Sequence, residues 1–320
     1  MATVNSVLGP IDTKDLGFTL MHEHILVGFA GVSQVYPELL GDDPLGRAVN
    51  KLKQAKEGGV DTIVDATTTD LGRDINFIAE ASRISGVNII AVSGWWTDIP
   101  RFFQGFMPGM GVSAEQLTDV FVREIEEGIS GTGIKAGILK AASDYGGVTP
   151  QAEPILRAVG RAHLKTGVPI MLHSYSPGHV GWQQLDILRQ EGVNPKRVKL
   201  DHSNDTTDIE YLTQLMEQGC YLGLDRYPGR VVSSRARTNT MKALIDAGYA
   251  DRLCPSHDSS ALPFLSPDWR RAEEERRQYN PHGFLYIKNT VFAQLREMGV
   301  SEEVISGLCV NGPSNFFEGV

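Results

Sequence analysis

The sequence predicts an α/β fold, a (β/α)8 TIM barrel, and three observations carry that prediction. Eight short, apolar, β-rich runs alternate with amphipathic stretches along 320 residues. Several of the amphipathic stretches end on a glycine suited to a left-handed cap, Gly86 and Gly167 among them, and the next apolar run begins within a few residues. The competing open, doubly wound sheet needs a glycine-rich phosphate turn after an early strand, and neither GxGxxG nor GxxxxGK occurs.

In order, the candidate strands lie around 18 to 25, 61 to 67, 88 to 95, 135 to 142, 168 to 174, 197 to 203, 220 to 226 and 252 to 257. Helical spacing of apolar residues marks Leu45 to Glu57, Ser113 to Glu127, Pro150 to Thr166, Gly181 to Glu191, Thr207 to Gln218 and Ser233 to Ala247. A short N-terminal extension, about 1–16, precedes the first unit, and the whole of 1–320 reads as one barrel domain. The longest irregular stretches are 96–112 and a long loop after strand 8, about 259–282. Both follow strands, on the face where barrels of this kind carry chemistry. The charge run Arg270 to Arg277 mixes both signs at helical spacing and reads as a solvated helix face.

Composition narrows the function classes. Lys plus Arg number 30 against 39 for Asp plus Glu, which argues against a nucleic-acid partner and for a small-molecule substrate. No segment reaches the roughly 18 uninterrupted apolar residues of a membrane span. Residues 1–17 lack an apolar core flanked by basic residues, so they do not read as a secretory signal, and cytoplasmic residence is the default. Cys220, Cys254 and Cys309 are odd in number and far apart, which fits buried thiols and neither a disulfide framework nor a metal knuckle.

The chemistry-bearing residues sit where apolar runs stop. His22 and His24, in Leu20-Met21-His22-Glu23-His24, are i and i+2 on a strand, so both point to one face, roughly 6.5 to 7 Å apart along the chain. His173 ends Ile170-Met171-Leu172, His202 ends Val198-Lys199-Leu200-Asp201, and Asp258 follows Cys254-Pro255-Ser256-His257. Four histidines and an aspartate at one end of a barrel would cost about 1 to 3 kcal/mol each as uncompensated polar groups; a shared metal site accounts for them together. Lys140, after Ala136-Gly137-Ile138-Leu139, is either a lysine that snorkels to solvent or pairs with an acid, or a partly buried amine that takes up carbon dioxide to become a metal-bridging carbamate.

Beyond these residues, the chain resembles the phosphotriesterase family of the amidohydrolase superfamily, and especially its phosphotriesterase-like lactonases. The resemblance runs through Gly17-Phe18-Thr19-Leu20-Met21-His22-Glu23-His24, Asp61-Thr62-Ile63-Val64-Asp65, Leu71-Gly72-Arg73-Asp74, Gly133 to Lys140, Gly223-Leu224-Asp225-Arg226-Tyr227 and Ser256-His257-Asp258. It implies a metal-dependent hydrolase with two divalent ions, zinc or cobalt, iron or manganese. His22, His24 and Asp258 would hold the more buried ion, His173 and His202 the more exposed one, and N6-carboxylysine at Lys140 would bridge them. Asp258 would also orient a bridging hydroxide and carry its proton away. The activity implied is that of a lactonase, for aliphatic or acyl homoserine lactones, with possible phosphotriesterase side activity. The alternatives are an esterase or amide hydrolase and a ligand-binding protein on the same scaffold.

Four further residues are candidates for substrate contact. Arg226 either contacts a substrate oxygen or closes the barrel mouth as a salt bridge. Trp96 stands where the lactonases commonly carry a tyrosine, and its indole has no hydroxyl and cannot accept a hydrogen bond. Phe264 and Leu265 suggest an apolar lid or acyl groove after Asp258. Three phenylalanines within Arg101 to Met107 either line the pocket or bury against a second subunit, and a homodimer is favoured.

Overall fold

The alternation of the two periodicities folds as expected. The computed structural model describes residues 2–97, 99, 111–262 and 266–319. After a hairpin of β1 (Thr3–Ser6) and β2 (Gly9–Asp12) come the eight barrel strands: β3 (Thr19–Glu23), β4 (Thr62–Asp65), β5 (Asn88–Gly94), β6 (Ile138–Ser143), β7 (Ile170–Ser174), β8 (Val198–Asp201), β9 (Tyr221–Leu224) and β10 (Leu253–Pro255). Each pairs in parallel with its neighbours in sequence, in the order β3 to β10. The ring closes through the chain just beyond β10, where His24 bridges Ser260 in parallel, with His24 N to Ser259 O at 2.8 Å and Ala261 N to His24 O at 2.8 Å.

A short α1 (Val32–Val35) precedes α2 (Pro44–Glu57), and then α3 (Ile75–Ser85), α4 (Ala114–Glu126), α5 (Ala152–Thr166), α6 (Val180–Gln190), α7 (Ile209–Glu217) and α8 (Ser234–Asp246) each follow a strand. Their starts carry the local signals that stop a chain from fraying. Ser113 and Gln116 form a reciprocal capping box on α4, and Asp74 and Asp208 cap α3 and α7. The caps Gly86 and Gly167 both adopt φ of +74°. The helices turn Leu52, Ile78, Phe121, Leu156, Leu188 and Leu215 onto the outer faces of the strands, all buried in one continuous core. Each such aliphatic contributes about 1.5–3 kcal/mol by leaving water.

One boundary differs from the sequence reading. The stretch 259–282 is not a loop throughout, because Trp269–Tyr279 forms α9, capped by Asp268. Its Arg and Glu residues pair at helical spacing, as Arg271 Nε does with Glu275 at 2.8 Å, so the charge run itself was the helix signal. The chain finishes in α10 (Phe292–Glu297), α11 (Glu302–Gly307) and α12 (Asn311–Glu318). Among the described residues, no helix is long and apolar enough to cross a membrane. The loop Arg101 to Met107 lies outside the described residues, as do Phe264 and Leu265.

Candidate metal centre

All six residues singled out as ligands gather at one end of the barrel, five of them near or beyond the ends of β3, β7, β8 and β10 and Lys140 within β6. His22 and His24 leave β3 on one face, where the ladder to β4 shifts register between Leu20 and Glu23. Asp258 reaches them from beyond β10, its Oδ1 lying 3.4 Å from His22 Nε2 and 3.3 Å from His24 Nε2. The edge of a tetrahedron of donors held about 2.1 Å from a centre is about 3.4 Å, so this trio has the spacing of three ligands of one ion.

Lys140 brings Nζ to 3.2 Å from His22 Nε2 and is buried. Burial pushes its ammonium toward the neutral amine, against the pull of Asp201 and Asp258. On the far side, His202 Nε2 and His173 Nδ1 face each other at 2.8 Å. A second ion would replace the proton they share. Burial and the neighbouring His202 lower the His173 pKa to about 3, so His173 presents a neutral ring to a cation. His202 and Asp258 both take left-handed backbone, with φ of +60° and +51°; strain in non-glycine residues of this kind clusters at functional sites.

The sequence reading missed the carboxylates beneath the imidazoles. Asp225, fully buried just past β9, accepts from His22 Nδ1 at 3.1 Å through one oxygen and from His202 Nδ1 at 2.8 Å through the other. A single side chain thereby fixes the tautomer of two ligands and turns both Nε2 atoms toward the centre. His22, His202 and Asp225 also form a convergent trio, but the two Nδ1 atoms there are hydrogen-bond donors, which makes it a brace. Asp201 Oδ2 lies 3.0 Å from His22 Nδ1, and Lys199, itself buried, pairs with the other oxygen of Asp201. Burial and Lys140 push the His22 pKa down, yet Asp201, Asp225 and Asp258 outweigh them and raise it to about 10. Charged residues interrupting the buried run Val198-Lys199-Leu200-Asp201 were the available signal. Gly223 is required between them, since a Cβ there would stand 2.5 Å from oxygens of both Asp201 and Asp225.

Glu23, between the two histidines, does different work. Its oxygens accept from Ser256 Oγ (2.8 Å), His257 N (3.0 Å), His257 Nδ1 (2.5 Å) and Ser259 N (2.9 Å), tying down the segment that carries Asp258. His257, next to the ligand in sequence, therefore faces away from the centre, with Nε2 accepting from Ile287 N.

Beside Asp258 opens a cavity of about 960 Å³. Arg226 lies on its wall and is a salt bridge as well as a candidate contact: Nε reaches Asp258 Oδ2 at 3.2 Å and Nη1 reaches Asp205 at 2.5 Å. Arg237 grips the same Asp205 at 2.7 Å. Trp96 stands edge-on to the His173 ring, centroids 5.6 Å apart, so its indole covers the outer pair without presenting a hydroxyl.

Comparison with known proteins agrees with this geometry. The model of the phosphotriesterase family matches residues 2–317. A phosphotriesterase homology protein of Mycobacterium tuberculosis is 39% identical, over 99% of this chain and 98% of its own. An aryldialkylphosphatase of Saccharolobus solfataricus is 36% identical over 96% of each, and an N-acetyltaurine hydrolase of Mus musculus 25% identical over 98% and 97%. The solved structure of the phosphotriesterase from Mycobacterium tuberculosis superposes with a TM-score of 0.91 at 40% identity, covering 99% of this chain and 98% of that one.

Proposed function

The chain belongs to the phosphotriesterase family, and from that premise we propose that it is a binuclear metal-dependent hydrolase acting as a lactonase, with phosphotriesterase side activity. The observation that carries the reading is the trio of His22 Nε2, His24 Nε2 and Asp258 Oδ1 at ligand spacing, beside a buried lysine of depressed pKa. In this proposal His22, His24 and Asp258 hold the inner ion, His173 and His202 the outer one, and carboxylated Lys140 serves both. Zinc, cobalt, iron and manganese all suit such a donor set. When bound, the ions lower the pKa of water and polarise the substrate oxygen.

The rest falls to the protein's own groups. The Lys140 ammonium, already pushed toward neutrality by burial, gives up one proton; the free amine then attacks carbon dioxide and releases a second, so a cation becomes a bidentate anion. Burial alone would raise the Asp258 pKa, but His22 and His202 hold it well below the usual carboxylate range, so Asp258 stays ionised and can receive a proton. Arg226 fixes the orientation of that carboxylate. A carbonyl substrate enters over Arg226 and Trp96.

Trp96 also favours a second reading, an esterase or amide hydrolase. The Trp96 indole beside His173 offers no hydroxyl, so this residue does not favour a cyclic ester over an open one. The proposed homodimer rests on the three phenylalanines within Arg101 to Met107 and is read by sedimentation.

To test the proposal, the protein is purified with added zinc, cobalt or manganese and screened on lactones, aryl esters, amides and paraoxon-like triesters. Metal-dependent turnover and roughly two ions per chain are expected. Absence of turnover on every class would sink the hydrolase reading. Lys140→Ala should lower the metal content, and unchanged content would remove Lys140 from the bridging role.

A further inference from the structure

The cavity beside Asp258 has a charge that the chain as a whole does not. With 30 basic against 39 acidic residues the protein is anionic, yet seven Arg and Lys side chains line this cavity against three carboxylates, Asp205, Asp258 and Glu273. Each of those carboxylates is already engaged. Asp258 belongs to the metal centre, Asp205 is held by Arg226 and Arg237, and Glu273 receives Lys51 at 2.7 Å and Arg47 at 3.2 Å.

Arg277 pairs with Glu274, which leaves two guanidinium groups. Arg276 spends Nη1 on the backbone oxygens of Ser260 (3.2 Å) and Leu262 (3.3 Å) and on the Ser260 hydroxyl. Those residues belong to the segment that leaves Asp258 and closes the barrel on His24. Arg230 lies over the Tyr279 ring, 4.8 Å from its centroid. Among the described residues, no carboxylate lies within ion-pair distance of either. Burial lowers the Arg276 pKa and Arg230 adds repulsion, while Asp258 and Glu273 pull the other way without coming within ion-pair distance. For Arg276, partly buried, a guanidinium without a paired anion is unfavourable unless something arrives to complete it, and its planar fork matches a two-oxygen anion; Arg230, exposed, adds a second cation nearby.

We propose that the substrate of this site carries a terminal oxyanion, a carboxylate or a phosphate, on the acyl portion that enters the cavity, where Arg276 and Arg230 receive it. This rests on the hydrolase reading for the position of the scissile bond. The pairing adds no charge of its own to the reacting atoms. It fixes the distance between the anion and the bond to be cleaved, and it rejects neutral acyl groups by leaving the cations unpaired.

Binding and turnover together test it on the metal-loaded enzyme. Glutarate is compared with monomethyl glutarate by calorimetry, since both keep one carboxylate for the metal centre and only glutarate has a second for the arginines. In parallel, the 4-nitrophenyl monoester of glutaric acid is compared with its methyl-capped counterpart. Glutarate and the anionic ester are expected to be favoured about 10- to 100-fold, the range for a hydrogen-bonded charge pair. Arg276→Gln and Arg230→Gln should each erode that ratio, chiefly through KM, and Arg276→Lys should retain part of it. If Arg276 only braces the segment 260–262, R276Q lowers both esters alike and the ratio stays, which overturns the proposal. Equal binding of glutarate and its monomethyl ester also overturns it. Replacing glutarate by 3-phosphonopropionate separates the two anions, the tighter one naming the group.

The two readings fail separately. Turnover of esters without a charge preference removes only this inference. A preference for glutarate that R276Q abolishes, in a protein that cleaves none of the substrates, removes only the hydrolase assignment.

Discussion

The two ends of the barrel are built from the same eight strands and solve opposite problems. At the floor, Val4, Leu16, Val64, Ile138, Met171 and Phe316 form an apolar plug, closed from below by the β1–β2 hairpin and α12. Phe316 is buried with its ring 4.9 Å from that of Tyr221, and α12 is fastened by Glu318 to Thr13 (2.6 Å) and by the Phe316 carbonyl to Arg197 (3.0 Å). At the mouth, His22, His24, Lys140, His173, His202 and Asp225 are equally buried and all ionisable. The floor gains free energy from every methylene it removes from water, whereas the mouth gains little from burying ion pairs and holds its groups for geometry. Stability should therefore be concentrated at one end and chemistry at the other.

The largest effect tests the mouth. Asp258→Asn keeps shape and removes the charge that pairs with His22 and His24, and kcat should fall roughly 10²- to 10⁴-fold in the metal-loaded enzyme. Its thermal midpoint should drop less than that of the floor variant. Phe316→Ala is the counterpart: it should cost about 3–5 kcal/mol by denaturant titration while the folded fraction keeps its kcat. If D258N proves the more destabilising of the two, the division of labour between the ends is wrong.

A third prediction sharpens what supports the mouth. Asp225→Asn leaves one acceptor oxygen where two imidazole N–H groups now find one each, so either His22 or His202 loses its orienting partner. Metal affinity should fall about 10- to 100-fold by chelator competition, with the fold intact by circular dichroism. An affinity within twofold of the parent would mean that packing, and not Asp225, orients the rings.

How legible each end was follows from the same contrast. The candidate histidines and Asp258 could be singled out because each interrupts or ends an apolar run, whereas Lys140 had an ordinary alternative and leaned on the resemblance. The parallel barrel could be read because helix and strand periodicities alternate without a phosphate turn. Asp225 and Glu23 were visible in sequence only as parts of a resemblance; their roles depend on which strands become neighbours, and closure of the barrel leaves only β10 between β9 and β3. Arg276 looked like a member of an ordinary charged helix face and Arg230 carried no signal, since only folding shows that the carboxylates near them are already engaged. Helix α9 was legible in part, since the charge spacing of Arg270 to Arg277 read as a helix face although the stretch around it read as a loop.

The smallest effect lies near the floor and is a matter of pH. His163, on α5, is buried below the start of β7, with Nδ1 2.8 Å from the carbonyl oxygen of Val168. A neutral ring donates that bond from Nδ1, and burial, opposed by the carbonyl and reinforced by nearby Arg197, lowers the pKa below 6.5. The unfolded chain then takes up a proton near pH 6.5 that the folded chain still resists. The contribution of this group is fully present above pH 6.5 and is lost as pH falls from there toward the folded pKa. His163→Gln can keep a donor to Val168 and has nothing to titrate, so its thermal midpoint should decline less than the parent's between pH 6.5 and 5. The difference should stay below about 3 °C. Because His163 is remote from the ligands, kcat at pH 7 should be unchanged, and a parallel loss of activity would show that the two ends are coupled through α5 and β7.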